Sequence, residues 1–395
     1  MKNASLLVAE VILPRVKDGK ASKSYFQLTP KPVPPPKQQR LIQIRNSKIS
    51  AELTLGSNQP QRRSTSSLVA KDDTPSMTSI TLPLHVYSAL DQGCLDYSKS
   101  WAWQHTLLSR RLAMRRAAAA AASQEEKVDD SDCVLLLEHA PVYTLGRGSD
   151  EGHLTFLSST TSAGNNDEQE EILREQQRQQ LSRRVRGPGT ARLAVDRQVD
   201  DVVGQVSLER AIQHLSDMAS PVVAPNGVPI YRVERGGEVT WHGPSQLVVY
   251  PLLDLQREPY QKDLHWYLRM VEEVVIQTLK HYGIDGVRDE ENTGVWVNDE
   301  KVAAVGISSS RWITTHGFAV NLDPNLEYFD TSMIVPCGIE GKGVTSIAKI
   351  MRERGDVRIP SLKEVAVVVL EAMMDVFRLS DLQVVESPKF NNTNR

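Results

Sequence analysis

Apolar residues recur every three or four positions between residues 263 and 282, and this spacing predicts an amphipathic helix. Gly283 follows at the position where a left-handed residue commonly ends a helix. Ser361 and Glu364 form a capping-box sequence, which predicts the start of another helix that runs to about Phe377. The apolar stripe of the first helix comprises Leu264, Tyr267, Leu268, Val271, Val274, Val275 and Leu279.

Short apolar runs predict strands around these helices. Residues 133–137 form an unbroken apolar run, which is typical of a buried strand. Residues 294–307 predict a hairpin with its turn at Asn298 and Asp299 and with Lys301 at the start of the return strand. Short strands with few, long helices and no strict strand–helix alternation predict a mixed α/β or α+β fold. Further predicted elements are strands at 82–87, 231–233, 247–253 and 318–320 and a helix at about 95–108.

Two long segments lack such a pattern. Residues 1–80 are rich in Ser, Pro and Gln, and from Met1 to Lys71 they hold 13 Lys or Arg against three acids. This balance fits an organellar presequence and a disordered basic tail equally well. Residues 158–217 are mostly polar and predict an inserted surface segment. We therefore predict a disordered extension at 1–80, one folded domain at 81–385 and a tail at 386–395.

Composition narrows the function classes. Lys and Arg total 46 against 49 Asp and Glu, so general binding of a polyanion such as nucleic acid gets no support. Cys94, Cys133 and Cys337 are too scattered for a disulfide framework, and no CxxC pair indicates zinc. No apolar run approaches the roughly 18–20 residues that span a bilayer. The composition predicts a soluble protein of a reducing compartment.

Cys337 is the first candidate for chemistry. It lies between Pro336 and Gly338 on a short apolar segment, downstream of Lys301. A cysteine thiol needs a basic neighbour to act as a nucleophile at neutral pH, so this pair is consistent with covalent acyl transfer. A buried structural thiol and a solvated hairpin lysine remain the alternatives at this point.

Residues 235–242 are the second candidate. Backbone N–H groups at two glycines, a guanidinium and an imidazole could hold an anionic group or a thioester-linked chain. A tight connection between strands is the alternative. His139, His242 and His316 are too widely separated to predict a zinc site, and polar lining of one cleft is the better interpretation.

Taken together, these segments resemble the octanoyltransferase family of lipoate biosynthesis (lipoate biosynthesis protein B). The similarity extends over about residues 82–156 and 228–380. It rests on ordered motifs at residues 136–147, 235–244, 294–297, 301–306, 316–321, 336–339 and 344–346.

The resemblance implies the mixed α/β fold of the biotin and lipoate protein ligases and the transfer of an octanoyl group through a cysteine thioester. Cys337 would be the nucleophile and Lys301 the residue that lowers the pKa of its thiol. No cofactor, metal or nucleotide is implied. His139 and His316 are expected elsewhere in the cleft. The acyl channel would be lined by Arg235, Gly236, Gly237, Glu238, Val239, Thr240, Trp241, His242, Ala304, Val305, Gly306, Gly317, Phe318 and Ala319.

The implied partners are octanoyl-acyl carrier protein and the lipoyl domains of 2-oxoacid dehydrogenase E2 subunits and of the glycine cleavage H protein. With the basic N-terminus, the resemblance implies a mitochondrial location, or otherwise a cytoplasmic one. Neither nucleic acid nor membrane is expected as a partner.

The sequence departs from the family pattern at three positions. Ser245 stands where the family has glycine, Trp241 replaces a tyrosine and Ala140 replaces a proline. Two rival functions stay open: an ATP-dependent lipoate or octanoate ligase on the same fold, which does not need Cys337, and a non-catalytic acyl-binding protein. A cysteine hydrolase is a more distant alternative.

Overall fold

A mixed β-sheet organises the part of the chain that the structure, a computed structural model, describes. That part comprises residues 83–120, 131–155, 172, 175–177, 179, 208–217, 221–330, 334 and 342–390. The strands are β1 Leu84–Ser88, β2 Cys133–Leu137, β3 Val142–Leu145, β4 Val222–Val223, β5 Pro229–Arg232, β6 Val239–His242, β7 Gln246–Leu252, β8 Val287–Arg288, β9 Val295–Val297, β10 Glu300–Ser310, β11 Ile313–Asn321, β12 Gly343–Val344 and β13 Leu382–Val385. The α-helices are α1 Tyr97–Ala120, α2 Leu208–Asp217, α3 Leu264–His281, α4 Ile347–Arg354 and α5 Leu362–Phe377, and Glu151–His153 and Leu326–Phe329 form short 3₁₀ helices.

The large sheet has the strand order β13-β1-β2-β7-β11-β10-β9-β8, and β12 pairs with β10 beside this path. A smaller sheet has the order β4-β5-β3-β6. The predicted mixed α/β fold is thereby confirmed. The described residues fall within one unit of the chain, Ile44–Arg395. The extension predicted at 1–80 lies outside the described residues, and the domain limits stay predictions.

Strand β2 is apolar throughout because both faces of the sheet are covered. Val134 and Leu136 pack on one face with helices α3 and α5, whereas Leu135 and Leu137 pack on the other with helix α1. Alternate side chains of a strand point to opposite faces, so two covered faces need an unbroken apolar run. Each fully buried Leu or Val contributes about 1.5–3 kcal/mol relative to exposure. The strand predicted at 133–137 is confirmed.

The helix ends carry capping groups, and two of them, at Gly283 and at Ser361 with Glu364, are those predicted from the sequence. The Asp263 carboxylate accepts hydrogen bonds from the backbone N–H groups of His265 and Trp266 at the start of α3. Gly283 follows the end of α3 with a φ of 67°. At α5 the Ser361 hydroxyl and the Glu364 carboxylate form both hydrogen bonds of a capping box.

The predicted hairpin is β9–β10. Asn298 and Asp299 have φ values of 50° and 62°. Two positive φ values at the central residues identify the tight hairpin turn whose twist matches that of the strands. The return strand β10 continues to Ser310 and pairs along its other edge with β11.

Most of the segment predicted as an insertion, 158–217, lies outside the described residues. Its last ten residues form α2, and Ala211 and Ile212 of this helix are buried in the same cluster as Trp101 and Trp103 of α1. Among the described residues, no helix combines the length and apolar character that a bilayer crossing requires.

Candidate active site

A cavity of about 190 Å³ lies over strands β10 and β11. It joins residues that are far apart in the sequence, from helix α1 to strand β11. Its lining comprises Tyr97, Arg235, Gly237, Glu238, Val239, Thr240, His242, Tyr250, Glu291, Asn292, Thr293, Lys301, Ala304, Val305, Gly306, His316, Gly317, Phe318 and Ala319.

The floor of the cavity is built from small residues. Ala304 pairs with Ala319, and Gly306 pairs with Gly317, across the antiparallel β10–β11 ladder. Paired positions place their Cβ atoms on the same face of a sheet. The minimal side chains at these two pairs therefore leave room for a cavity over this part of the sheet.

Arg235 shapes one wall of the cavity. Its Nη2 atom donates to the Thr144 carbonyl at 2.7 Å, to the Thr144 hydroxyl at 2.8 Å and to the Glu238 carbonyl at 2.9 Å. The backbone N–H of Gly236 donates to the Ile307 carbonyl at 2.9 Å. The guanidinium and this backbone bond fix the 235–238 loop against strand β10.

Lys301 lies at the other end of this floor, and only 6% of its surface is exposed. Its ammonium lies 4.6 Å from the centre of the Trp296 ring. Gly294, with a φ of 120°, makes room for it, since a Cβ there would lie 3.2 Å from Lys301 Cε and 2.7 Å from the Ala303 carbonyl oxygen. Among the described residues, Lys301 has no ion pair and no side-chain hydrogen bond. A buried ammonium without a carboxylate is costly, which makes Lys301 a candidate for a functional role.

Cys337 lies outside the described residues. The chain that follows it is fixed beside Lys301, because Val344 of β12 pairs with Lys301 and the backbone N–H of Thr345 donates to the Lys301 carbonyl at 3.0 Å. The other two cysteines lie outside the cavity lining. Cys133 is buried in β2, and burial, with Glu138 nearby, raises the pKa of Cys94 to about 11.

Three histidines cluster near the cavity. The Nδ1 atom of His139 donates to the Leu95 carbonyl at 3.2 Å, and its Nε2 accepts from the Tyr250 hydroxyl at 3.0 Å. Burial lowers the pKa of His139 to about 4. Burial also lowers the pKa values of His242 and His316. Burial thus favours the uncharged form of these imidazoles, which suits a site for an apolar chain.

Glu234 is a buried carboxylate behind the cavity. It is hydrogen-bonded to His105, lies 3.3 Å from His316 Nε2 and accepts a hydrogen bond from Trp101 Nε1 at 3.2 Å. Burial alone would raise the pKa of Glu234, but His105 and His316 hold it well below its usual value. This cluster supports the wall that carries Arg235.

The structure brings most of the predicted binding residues together and leaves three of them off the lining: Gly236, Trp241 and His139. Gly236 contributes its backbone bond to β10. Trp241 turns into the core of the small sheet, where its ring stacks on Tyr328 at 4.7 Å. His139 lies behind the cavity wall, with its ring 5.7 Å from that of His242. All predicted site residues except Cys337 are described.

Sequence reasoning missed five lining residues. Tyr97 comes from α1 and Tyr250 from β7, and Glu291, Asn292 and Thr293 come from the loop before β9. No local spacing marks these residues, because the fold alone makes them neighbours. In the described ranges, no group of three or more His, Cys, Asp or Glu side chains is placed to hold a metal ion.

Comparisons with known proteins show which family this chain resembles. Residues 208–373 match the family model of the lipoyl protein ligase A/B catalytic domain. An octanoyltransferase of Gloeobacter violaceus is 35% identical over 250 residues, which are 63% of this chain and 75% of that protein. An octanoyltransferase of Synechococcus elongatus is 37% identical over 257 residues, which are 65% of this chain and 75% of that protein.

A plant protein and a solved structure are also similar. The chloroplastic octanoyltransferase LIP2p2 of Arabidopsis thaliana is 32% identical over 260 residues, 66% of this chain and 65% of that protein. A putative lipoate protein ligase of T. acidophilum with bound lipoic acid has a TM-score of 0.43 at 11% identity, covering 78% of this chain and 91% of that chain. With a catalytic-domain match and relatives above 30% identity over three quarters of their length, the chain belongs to the octanoyltransferase family, whose members are acyltransferases with the lipoate-ligase fold.

Proposed function

We propose that this octanoyltransferase moves an octanoyl group from acyl carrier protein to a lysine of lipoyl domains through a thioester on Cys337. The observation that carries the proposal is Lys301, a buried ammonium without a carboxylate partner among the described residues, at the end of a cavity floored by Ala and Gly. Strand β12, six residues after Cys337, pairs with the strand that holds this lysine.

In the first step the Cys337 thiolate attacks the carbonyl carbon of the carrier thioester. A new carbon–sulfur bond forms, the carrier sulfur leaves as a thiolate, and this thiolate takes a proton. A free thiol with a pKa of about 8.5 is only a few per cent ionised at neutral pH. The positive charge of Lys301 is proposed to favour the thiolate.

In the second step the ε-amine of the acceptor lysine attacks the thioester carbon, the amide bond forms and the Cys337 thiolate leaves. The acceptor nitrogen starts as an ammonium and ends as an amide N–H, so it loses one proton to solvent before the attack and a second as the amide forms. Lys301 is the proposed relay for the second proton: its ammonium passes one proton to solvent and takes up the one from the nitrogen. Thioester exchange is nearly isoenergetic and amide formation from a thioester is downhill. The reaction therefore needs no ATP.

The acyl chain is proposed to lie on the small-residue floor. Its reacting end would be at Lys301, and it would run over the Ala304–Ala319 pair toward Gly306 and Gly317. The residues proposed to line this channel are those predicted from the sequence that border the cavity. Gly236, Trp241 and His139 would support it from outside.

Intact-mass measurement after incubation with octanoyl-acyl carrier protein tests the proposal. We expect a gain of one octanoyl group, mapped to Cys337, and loss of this adduct in Cys337→Ser. Lys301→Met should slow adduct formation strongly near pH 7. Cys94→Ser is the matched control, and it should form the adduct at the wild-type rate.

Supplying a lipoyl domain should then discharge the adduct onto a lysine of that domain without ATP. Transfer that requires ATP and survives Cys337→Ser would instead show a ligase. Stable binding of the acyl group with no transfer would show a non-catalytic acyl-binding protein, and release of free octanoate would show a hydrolase.

We also propose that the enzyme acts inside an organelle on the lipoyl domains of 2-oxoacid dehydrogenase E2 subunits and of the glycine cleavage H protein. The chloroplastic relative and the cyanobacterial ones favour a plastid over the mitochondrion that the sequence alone suggested. Fusing residues 1–82 to a fluorescent protein tests this location. Fluorescence confined to mitochondria would favour the original prediction, and diffuse cytoplasmic fluorescence would argue against import.

A further inference from the structure

Two lysine ammonium groups share the Trp296 ring. Lys301 Nζ lies 4.6 Å and Lys342 Nζ 4.9 Å from its centre. Only 3% of the Trp296 surface is exposed, so the ring is fixed by its surroundings. Trp296 is also the strand partner of Lys301 in the β9–β10 ladder. The backbone register and the side-chain contact therefore place the same two residues together.

The two ammonium groups differ in how their charge is balanced. Lys342 Nζ lies 2.5 Å from an Asp289 oxygen and 3.7 Å from an Asp299 oxygen. Lys301 contacts the aromatic ring and, among the described residues, has neither an ion pair nor a side-chain hydrogen bond. Within the described ranges, the charge of Lys342 is balanced by carboxylates, whereas that of Lys301 is not.

Two glutamates on the neighbouring elements, Glu300 and Glu272, are committed to other cations. Glu300, the residue before Lys301, lies 2.9 Å from Lys349 Nζ through both of its oxygens. Glu272 on helix α3 accepts from Arg269 Nη1 at 2.8 Å and from the Gly294 N–H at 3.1 Å, and it lies 3.4 Å from Arg288 Nε. Glu291 borders the cavity as well. This pattern of pairing leaves the ring of Trp296 as the anchor of Lys301.

An aromatic anchor and a carboxylate anchor have different consequences. A carboxylate would hold the ammonium but cancel its field on a nearby thiol. The face of an indole attracts a cation through its quadrupole and carries no net charge, so the full positive charge stays available. Tryptophan is the strongest of the aromatic rings in this contact.

We propose that Trp296 is a positioning residue for acyl transfer, fixing the Lys301 ammonium at the end of the cavity floor by a cation–π contact that adds no negative charge. This inference rests on the proposed function of Cys337 and Lys301. Trp296 itself does not border the cavity and touches no reacting atom. Its role is exerted through Lys301.

The test measures the rate of alkylation of Cys337 against pH, by peptide mapping after brief exposure to iodoacetamide. The variants are Trp296→Leu, Trp296→Phe and Lys301→Met. Trp312→Leu is the matched control. Lys262 Nζ lies 5.2 Å from the centre of the Trp312 ring, and Trp312 lies outside the cavity lining.

Loss of the anchor should raise the pKa of the Cys337 thiol, since the positive charge that favours the thiolate becomes less well placed. For Trp296→Leu we expect a rise of about one unit and about tenfold slower acylation at pH 7. The deficit should shrink toward pH 9, where the thiol ionises without help. The thiol pKa in Trp296→Phe should lie between those of Trp296→Leu and wild type, and the thiol pKa in Trp312→Leu should match that of wild type.

A deficit in Trp296→Leu that stays constant across pH would indicate structural damage and overturn the proposal. So would an unchanged thiol pKa in both Trp296 variants, or in Lys301→Met. If Trp296→Leu does not fold, Trp296→Phe, which keeps an aromatic ring in the core, still tests the proposal. Alkylation needs no acyl donor. A wild-type protein that forms no octanoyl adduct would therefore contradict the proposed function, while the effect of Trp296 on the Cys337 thiol could still be measured.

Discussion

Gly306 of β10 lies directly against Arg235 of the loop that forms the cavity wall. A Cβ atom on Gly306 would come within 2.9 Å of Arg235 Cδ and 3.0 Å of the Gly236 carbonyl oxygen. The same glycine pairs with Gly317 across the β10–β11 ladder. The absence of a side chain at this point lets the loop close on the sheet while the floor stays open.

Gly306→Ala should therefore displace the 235–238 loop and impair acyl transfer. Overpacking of this kind costs about 1–3 kcal/mol of stability, and a shift of about 1 Å near a reacting centre can lower the rate about 100-fold. Acyl-adduct formation and urea denaturation measure the two effects. Gly148→Ala is the control, because a Cβ there meets nothing within 4 Å. Equal activity of the two variants would show that the loop does not form the channel wall.

Ala304→Leu should change the preference for acyl chain length. A larger side chain on the floor, opposite Ala319, would occupy the path proposed for the middle of an octanoyl chain. We expect the rate with octanoyl carrier protein to fall about tenfold or more relative to butanoyl carrier protein, since a butanoyl chain ends before this point. Parallel losses for both donors would place the acyl chain elsewhere.

Ser245→Gly should stabilise the protein. Ser245 has a φ of 65°, a left-handed conformation that costs residues with a Cβ roughly 1–2 kcal/mol, partly offset by the greater flexibility of glycine when unfolded. We expect urea denaturation to show a gain of up to about 1 kcal/mol. Ser308→Gly, within strand β10, should lose stability instead. Ser308 does not border the cavity, so its replacement should leave the channel unaffected.

Brief alkylation at neutral pH should modify one cysteine, Cys337. The pKa of Cys94 is raised to about 11 by burial and by Glu138, which suppresses its thiolate, and Cys133 is buried in β2 away from the reagent. Peptide mapping should find the label retained in Cys94→Ser and absent in Cys337→Ser. Equal labelling of Cys94 and Cys337 would contradict a selectively activated thiol.

Acidification should destabilise the fold partly through His139. Its pKa is about 4 in the folded protein and about 6.5 when unfolded, so the unfolded chain binds more protons between these values. Stability from this residue is present above pH 6.5 and is lost as the pH falls toward 4. Between pH 7 and 5 the loss is about 2 kcal/mol. In urea denaturation, His139→Gln should lose correspondingly less stability than wild type between pH 7 and 5. Parallel plots of unfolding free energy against pH for the two proteins would contradict this role of His139.

Much of the local structure could be predicted from the sequence. The α3 stripe, the capping box at Ser361 and the β9–β10 turn at Asn298 and Asp299 are local signals, because hydrogen bonds and φ preferences within a few residues produce them. The ordered motifs around Lys301 and His242 also identified the family. Strand alternation predicts that Trp241 lies on the face of β6 opposite Thr240 and His242, which both border the cavity.

Only the tertiary structure decided which groups meet. Tyr97 and Tyr250 reach the cavity from elements more than a hundred residues apart, and no spacing along the chain encodes that convergence. In the part of the chain that the structure describes, the lack of a carboxylate beside Lys301 depends on where Glu300, Asp289 and Glu272 find other cations. Such pairing is set by the packing of strands and helices against each other, because Coulomb attraction and burial act through space rather than along the chain.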